Sequence, residues 1–467
     1  MRRVCGLLGR CWRRVGGVVL LAWLCLGMRA TPAGGSVAAE QDLGTTFDME
    51  ARKELPLSDD VDVNRYVARV GQKIVAALGD QPFNYRFAVV RDGRINAFAV
   101  PGGSVYVNAG LLTAAGNDDE VAGVLAHEIA HVNGHHLVRQ QEATQVLNYA
   151  TLLGLLLSVV HPAIGAGAAA ANSAVQLQYR REFEQEADYV GARYVHQAGY
   201  EPGGMVDFFK KMLDQQRFGP TAMPPYLLSH PLTDARITNL EAVLHRHQWD
   251  RRSRQPVSLD LARAQLLLRV QTEAADAVLA AYWKQAASRP EDGRARYLLG
   301  LAYFATGALE PARETFETIP QPGEVDGTRE LGRTWLRLRQ PEKARDLLRR
   351  ATERQPDDPL AHHELAKALD ALNASDDAIR EYERAVQLAP GLEEAHYNLG
   401  MLAGRSGRLG EGFYHLGVAL ELRGDFDKAL SQFKKAEPLF PAGSERAQVL
   451  QGRISELSTY LKHGRLR

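Results

Sequence analysis

The sequence predicts a mainly α chain: an α-rich first domain with a small β-sheet, then an α-solenoid. Three observations predict it. Short β-branched and aromatic runs at 83–90 and 93–108 are broken by Asp92-Gly93 and Pro101-Gly102-Gly103, as in a meander of two or three strands with tight turns. Apolar residues around them, at 64–78 and 117–134, recur at helical spacing. From about residue 286 onward, helix pairs repeat with a period near 34 residues.

The 467 residues carry 45% hydrophobic and 24% charged side chains, an ordinary globular balance with room for two or three domains. Lys plus Arg equals Asp plus Glu at 56 each, so no net field argues for a nucleic-acid partner. Arg2, Arg3, Arg10, Arg13 and Arg14 crowd the N-terminus ahead of an apolar run over 15–26, and Val37-Ala38-Ala39 supplies small residues for cleavage. Residues 1–39 therefore read as a secretory signal with a mature start near Glu40; the run is too short to span a bilayer comfortably. Cys5, Cys11 and Cys25 all lie in it, so the mature chain has neither disulfide nor catalytic thiolate.

Residues 40–250 read as the first domain. In its central helix Asn117 is a fitting N-cap, Glu120 follows as in a capping box, Val121, Val124, Leu125, Ile129 and Val132 give an apolar face, and Gly134 marks the end. The Ala- and Gly-rich stretch 147–174, divided by His161-Pro162, reads as a buried helical hairpin in preference to a flexible cover for a hydrophobic partner. A charged, Pro-containing boundary at 251–257 opens a linker with leading helices to 285, and 286–467 form the solenoid. Gly300, Gly332, Ala366 and Gly400 share one repeat position; Ala312, Ala344 and Ala378 share another; Phe316, Leu348 and Tyr382 follow. Gly417, Ala429, Phe433, Ala436 and Pro441 repeat the scheme in a slipped frame. Small residues where two helices touch and large ones in the hole between them are the tetratricopeptide pattern, a docking surface for other proteins.

The chemistry is concentrated in His127-Glu128-Ile129-Ala130-His131. Histidines at i and i+4 share a helix face, so His127 and His131 can reach one ion, and Glu128 beside the first can take a proton from the attacking water. A third ligand must come from elsewhere. A metzincin arrangement would need histidine at position 137, which is Leu137, with His135 and His136 just missing. A second acidic segment, 180–188, offers Glu184 and Asp188 one turn apart, with Glu182 and Glu186 as rivals on chemistry alone.

His-Glu-x-x-His followed by Glu-x-x-x-Asp resembles the gluzincin family of the CAAX prenyl proteases and HtpX, over roughly residues 62–236. The trailing repeats narrow the resemblance to its BepA-like periplasmic subgroup. It implies a zincin-type α+β peptidase domain, one Zn2+ held by His127, His131 and Glu184, and catalytic roles for Glu128 and Asp188. The stretch from Asn96 to Gly103 is similar to the family's strand and turn ahead of the catalytic helix, where an edge strand can hold substrate in extended form. Ser229-His230-Pro231 resembles a loop whose histidine, here His230, can occupy the metal's open position and latch the enzyme; the plainer reading is a local hydrogen bond. His230 swung off the metal, or Arg236, is a candidate oxyanion donor.

The resemblance implies a zinc metalloendopeptidase of the periplasm, peripheral at the inner face of the outer membrane. It would hydrolyse misfolded or stalled outer-membrane proteins and assist their assembly beside the β-barrel assembly machinery. The alternative from another class is a chaperone or scaffold with a latent peptidase.

Overall fold

The computed structural model describes residues 37–144, 181–218, 224–249, 256–319 and 325–464. Most of the expected leader and the apolar stretch 147–174 lie outside them. Helix α1 (Val37–Glu54) runs through the expected cleavage point, and Glu40 is buried. Helix α2 (Val61–Ala77) begins where the Asp60 side chain accepts from Val63 N, and it buries Val63, Tyr66, Val67, Val70 and Ile74 as one stripe.

Three strands follow: β1 (Arg86–Val90), β2 (Ala97–Val100) and β3 (Ser104–Asn108). Their order is β1-β3-β2, with β1 parallel to β3 and β2 antiparallel to it. The expected meander is corrected here, because β1 and β2 do not pair. Side-chain alternation is the same for any neighbour, so the pattern could not order the strands. The β2–β3 hairpin turns on Gly102 (φ 93°) and Gly103 (φ 100°), and a Cβ on Gly102 would lie 2.6 Å from Glu40 O.

After α3 (Ala109–Ala114) comes the central helix α4 (Asp118–Asn133). Asn117 Oδ1 accepts from Glu120 N at 3.0 Å, and Glu120 Oε2 accepts from Gly116 N at 2.7 Å, so both cap groups of the sequence are used. The expectation of one apolar face falls short, since every residue from Asp119 to Val132 is buried. Helices α5 (His136–Thr144), α6 (Arg181–Gln197), α7 (Gly203–Phe218), α8 (Pro225–Ser229) and α9 (Asp234–Arg246) complete the first domain. Glycines let two of them reach α4. A Cβ on Gly191 of α6 would stand 3.1 Å from His127 N, and one on Gly123 of α4 would stand 2.7 Å from Met205 Cα of α7. Gly123→Ala must therefore separate α4 from α7, and a loss of about 1–3 kcal/mol is expected as a lowered denaturant midpoint.

Helix α10 (Leu259–Thr272) buries Leu261, Ala264 and Leu268 in the first domain's core, and α11 (Ala275–Ser288) leads into the repeats. The pairs are α12 (Gly293–Ala305) with α13 (Leu309–Glu317), α14 (Thr328–Arg337) with α15 (Pro341–Arg354), α16 (Pro359–Ala371) with α17 (Ser375–Leu388), and α18 (Glu393–Arg405) with α19 (Leu409–Leu422). Helices α20 (Phe426–Ala436) and α21 (Glu445–Gly464) follow. Phe316 lies over Gly300, Leu348 over Gly332, and Leu416 over Gly400. Phe433 lies over Gly417, so α19 closes one pair and opens the next. That double use is the physical reason for the slipped frame.

Among the described residues the solenoid meets the first domain at two places. Buried Arg329 of α14 pairs with Asp62 of α2 at 2.7 Å, with Asp358 at 2.9 Å and with Glu330 at 2.6 Å. At the far end Met49 of α1 packs with Tyr414, Val418 and Phe426, and Tyr460 donates to Glu50 at 2.7 Å. Helix α1 reaches the sheet through Phe47 against Phe98 and Tyr106, and through Asp48, which accepts from Ser104 Oγ at 3.0 Å.

Candidate metal centre

His127 and His131 project from consecutive turns of α4, with their Nε2 atoms 3.0 Å apart. Helix α6, let in close by Gly191, sets Glu184 Oε1 3.3 Å from His131 Nε2 and Oε2 3.6 Å from His127 Nε2. His230, at the end of α8, is held by its own N–H donating to Tyr226 O at 2.8 Å. Its Nδ1 lies 2.9 Å from Glu184 Oε1 and its Nε2 3.6 Å from Glu128 Oε1. His127, His131, Glu184 and His230 each offer a donor atom within 4.8 Å of the others, and all four are buried. Tetrahedral bonds of about 2.0–2.1 Å would space donors by roughly 3.3 Å, so a small divalent cation fits the three closest groups with little movement.

Glu128 is buried, and among the described residues its Oε1 has no hydrogen-bond partner. Burial pushes its carboxyl up from the usual value, against the pull of His230 and His127. The Tyr226 hydroxyl is buried next to Glu128, and burial, then Glu128, push its pKa well up. Its ring stacks on His230 at 4.6 Å. Nothing in the motif pointed to Tyr226, though it stands one helical turn before His230.

Behind these groups sit the supports. Asp188 Oδ1 lies 3.1 Å from His127 Nδ1, on the side of the ring away from His131. Arg236 of α9 donates to Asp188 through Nε at 2.6 Å and Nη2 at 2.9 Å, and through Nη1 to Pro231 O at 2.9 Å. The same Nη1 stands 2.5 Å from Glu184 Oε2. Each guanidinium nitrogen of Arg236 is thus engaged, and the side chain clamps the two acids of α6. Burial raises both acids, yet His230 and Arg236 hold Glu184 well below the carboxylate range, and Arg236 holds Asp188 below it. Burial lowers His127, but Asp188 and Glu184 outweigh it and carry the imidazole to about 9. A bound cation would supply the same positive charge as that proton, so metal uptake releases it. Burial drives His131 well down, leaving it neutral and ready to ligate. Glu182 stays exposed, whereas Glu186, the other rival acid, meets His136 on the outer side of His131.

Residues 62–244 match peptidase family M48, and residues 259–325 and 329–393 match a tetratricopeptide repeat. A putative beta-barrel assembly-enhancing protease of Vibrio cholerae is 34% identical over 260 residues, 53% of this chain and 53% of that one. The beta-barrel assembly-enhancing protease of Escherichia coli is 31% identical over 219 residues, 45% of each chain. The mitochondrial metalloendopeptidase OMA1 of Schizosaccharomyces pombe is 30% identical over 191 residues, 40% of this chain and 54% of that one. The chain spans about half the length of these relatives. A chain with this buried donor cluster, and with these matches in this order, carries a peptidase family M48 domain followed by tetratricopeptide repeats.

Proposed function

We propose that this chain is a zinc-dependent endopeptidase of the periplasm. It cleaves misfolded or stalled outer-membrane proteins and aids the assembly of others, while its repeats dock partners at the β-barrel assembly machinery. The observation that carries the reading is the packing of His127, His131 and Glu184 around one point with Glu128 beside it. Two imidazoles and a carboxylate suit zinc by donor type. The names of the relatives support the substrates and partners, and among the described residues no helix is long and apolar enough to cross a membrane.

Zinc held by His127, His131 and Glu184 would supply Lewis acidity to a scissile carbonyl and to water. Glu128 takes the proton as water attacks and delivers it to the leaving nitrogen. Asp188 acts through His127, fixing its ring by accepting from Nδ1–H while Arg236 fixes Asp188. The Tyr226 hydroxyl is the donor best placed to meet the oxyanion, since it is buried beside Glu128 with its ring stacked on His230. Strand β2 lies at the sheet edge, where an extended substrate can add as a further strand. His230, among the donors, serves as the latch that withdraws when substrate enters.

Elemental analysis with cleavage of casein or an unfolded barrel protein tests this. One zinc per chain, activity abolished by a chelator and restored by zinc, and faster cleavage by His230→Ala are expected. Protein that resists zinc loading would sink the enzyme reading, and slower cleavage by His230→Ala would sink the latch.

A further inference from the structure

We propose that His136, backed by Glu186, is a positioning residue for His131: its imidazole accepts a hydrogen bond from His131 Nδ1 and so fixes the tautomer whose Nε2 lone pair faces the metal. The proposal rests on the metal-site reading above. His127 has Asp188 behind it, and His136 stands in the matching place behind His131.

The backbone is shaped to deliver this ring. Helix α4 ends at Gly134, and His135 follows in the left-handed region at φ 50°. That reversal turns His136 back beneath the helix it has just left. A Cβ on Gly134 would stand 2.4 Å from His136 Nε2, so glycine is required where the ring passes. His135 is pinned in its conformation by Glu40 Oε1, 2.7 Å from its Nδ1. Once folded back, the His136 ring is wholly buried and lies parallel to Phe183 with centroids 4.7 Å apart. Its Nδ1 is 3.0 Å from His131 Nδ1, and its Nε2 is 3.4 Å from Glu186 Oε2. Arg139 Nη1, 3.3 Å from the same oxygen, steadies that carboxylate.

Two Nδ1 atoms at this distance share one proton, and its position decides whether His131 can ligate. If His136 donated, the proton of neutral His131 would sit on Nε2, between His127 and Glu184, where the metal must bind. If His131 donates, its Nε2 carries the lone pair and His136 carries its own proton on Nε2. That proton lies beside the Glu186 carboxylate, 3.4 Å from Nε2, a group that favours a donor on this nitrogen over a lone pair. Glu186 therefore selects the second arrangement, and the signal passes from the edge of α6 through His136 to the ligand. This is the relation by which outer hydrogen-bond partners orient metal-bound imidazoles.

The test is zinc affinity of the purified full chain, measured by chelator competition and accompanied by thermal melts. His136→Phe keeps a flat ring against Phe183 and removes the acceptor; zinc is expected to bind about 10–100-fold more weakly while the melt is retained. Glu186→Gln keeps an accepting oxygen and stays close to wild type, whereas Glu186→Leu moves toward His136→Phe. Nitrogen-15 spectra of zinc-loaded wild type should show His131 protonated at Nδ1 and His136 protonated at Nε2 only. Unchanged affinity in folded His136→Phe, or His131 unprotonated at Nδ1, overturns the proposal. Should His136→Phe fail to fold, the spectra and the Glu186 pair decide it. Wild-type protein that binds no zinc would instead remove the metal-site reading itself.

Discussion

Glu128→Gln is expected to lower peptide cleavage by roughly two to four orders of magnitude, the usual worth of a positioned general base. Zinc content should stay at the wild-type level, because Glu128 is not among the three donors assigned to the ion. The fold should not suffer either. Burial raises the carboxyl of Glu128, so its charge carries a desolvation cost in the folded chain that a neutral amide does not. A melt no lower than wild type, with cleavage gone, separates chemistry from structure. The same variant divides the two functional readings. If it fails to support outer-membrane assembly, proteolysis is the main task; if assembly proceeds normally, the repeats carry it as a scaffold.

Arg329→Leu is expected to cost about 3–5 kcal/mol, because it leaves Asp62, Glu330 and Asp358 buried around a lost cation. The damage falls between the first domain and the solenoid, so limited proteolysis near residue 256 should quicken while isolated helix content changes little. The wild type carries a matching acid sensitivity. Burial raises Asp62 and Glu330, but Arg329 outweighs it and holds both below the ordinary carboxylate range. A depressed carboxylate stabilises the fold fully above its unfolded value, near 4, and loses that contribution as pH falls through the folded value. Melting temperature should therefore fall below about pH 4 in wild type, and the variant should lack this limb.

The catalytic helix was legible because its signals are local. Asn117, Glu120 and Gly134 mark its ends, and the i, i+4 histidines share a face whatever surrounds them. Glu184 and Asp188 could be named only by resemblance, since choosing them over Glu182 and Glu186 requires the angle between α6 and α4. The small-and-large pattern of the repeats was equally readable, because Gly300 and Phe316 or Gly332 and Leu348 meet within one helix pair. What stayed hidden depends on distant partners. The parallel pairing of β1 with β3 leaves no trace in alternation. Arg329 and Asp62 are 267 residues apart, and each alone looks like a surface charge. Tyr226 and His136 are ordinary core candidates until the chain folds back to set them beside Glu128 and His131.

The join between α1 and the last helices has a consequence for how the protein comes to be. Tyr460 and Glu50 are 410 residues apart, so closing that contact waits for nearly the whole chain. Helix α1 gains Tyr414, Phe426 and Tyr460 as neighbours only once α19, α20 and α21 are in place. Yet α1 is the element that props the sheet through Phe47 and holds His135 through Glu40. Ordering of the sheet and of the His135 turn is thereby coupled to the docking of α19, α20 and α21 on α1.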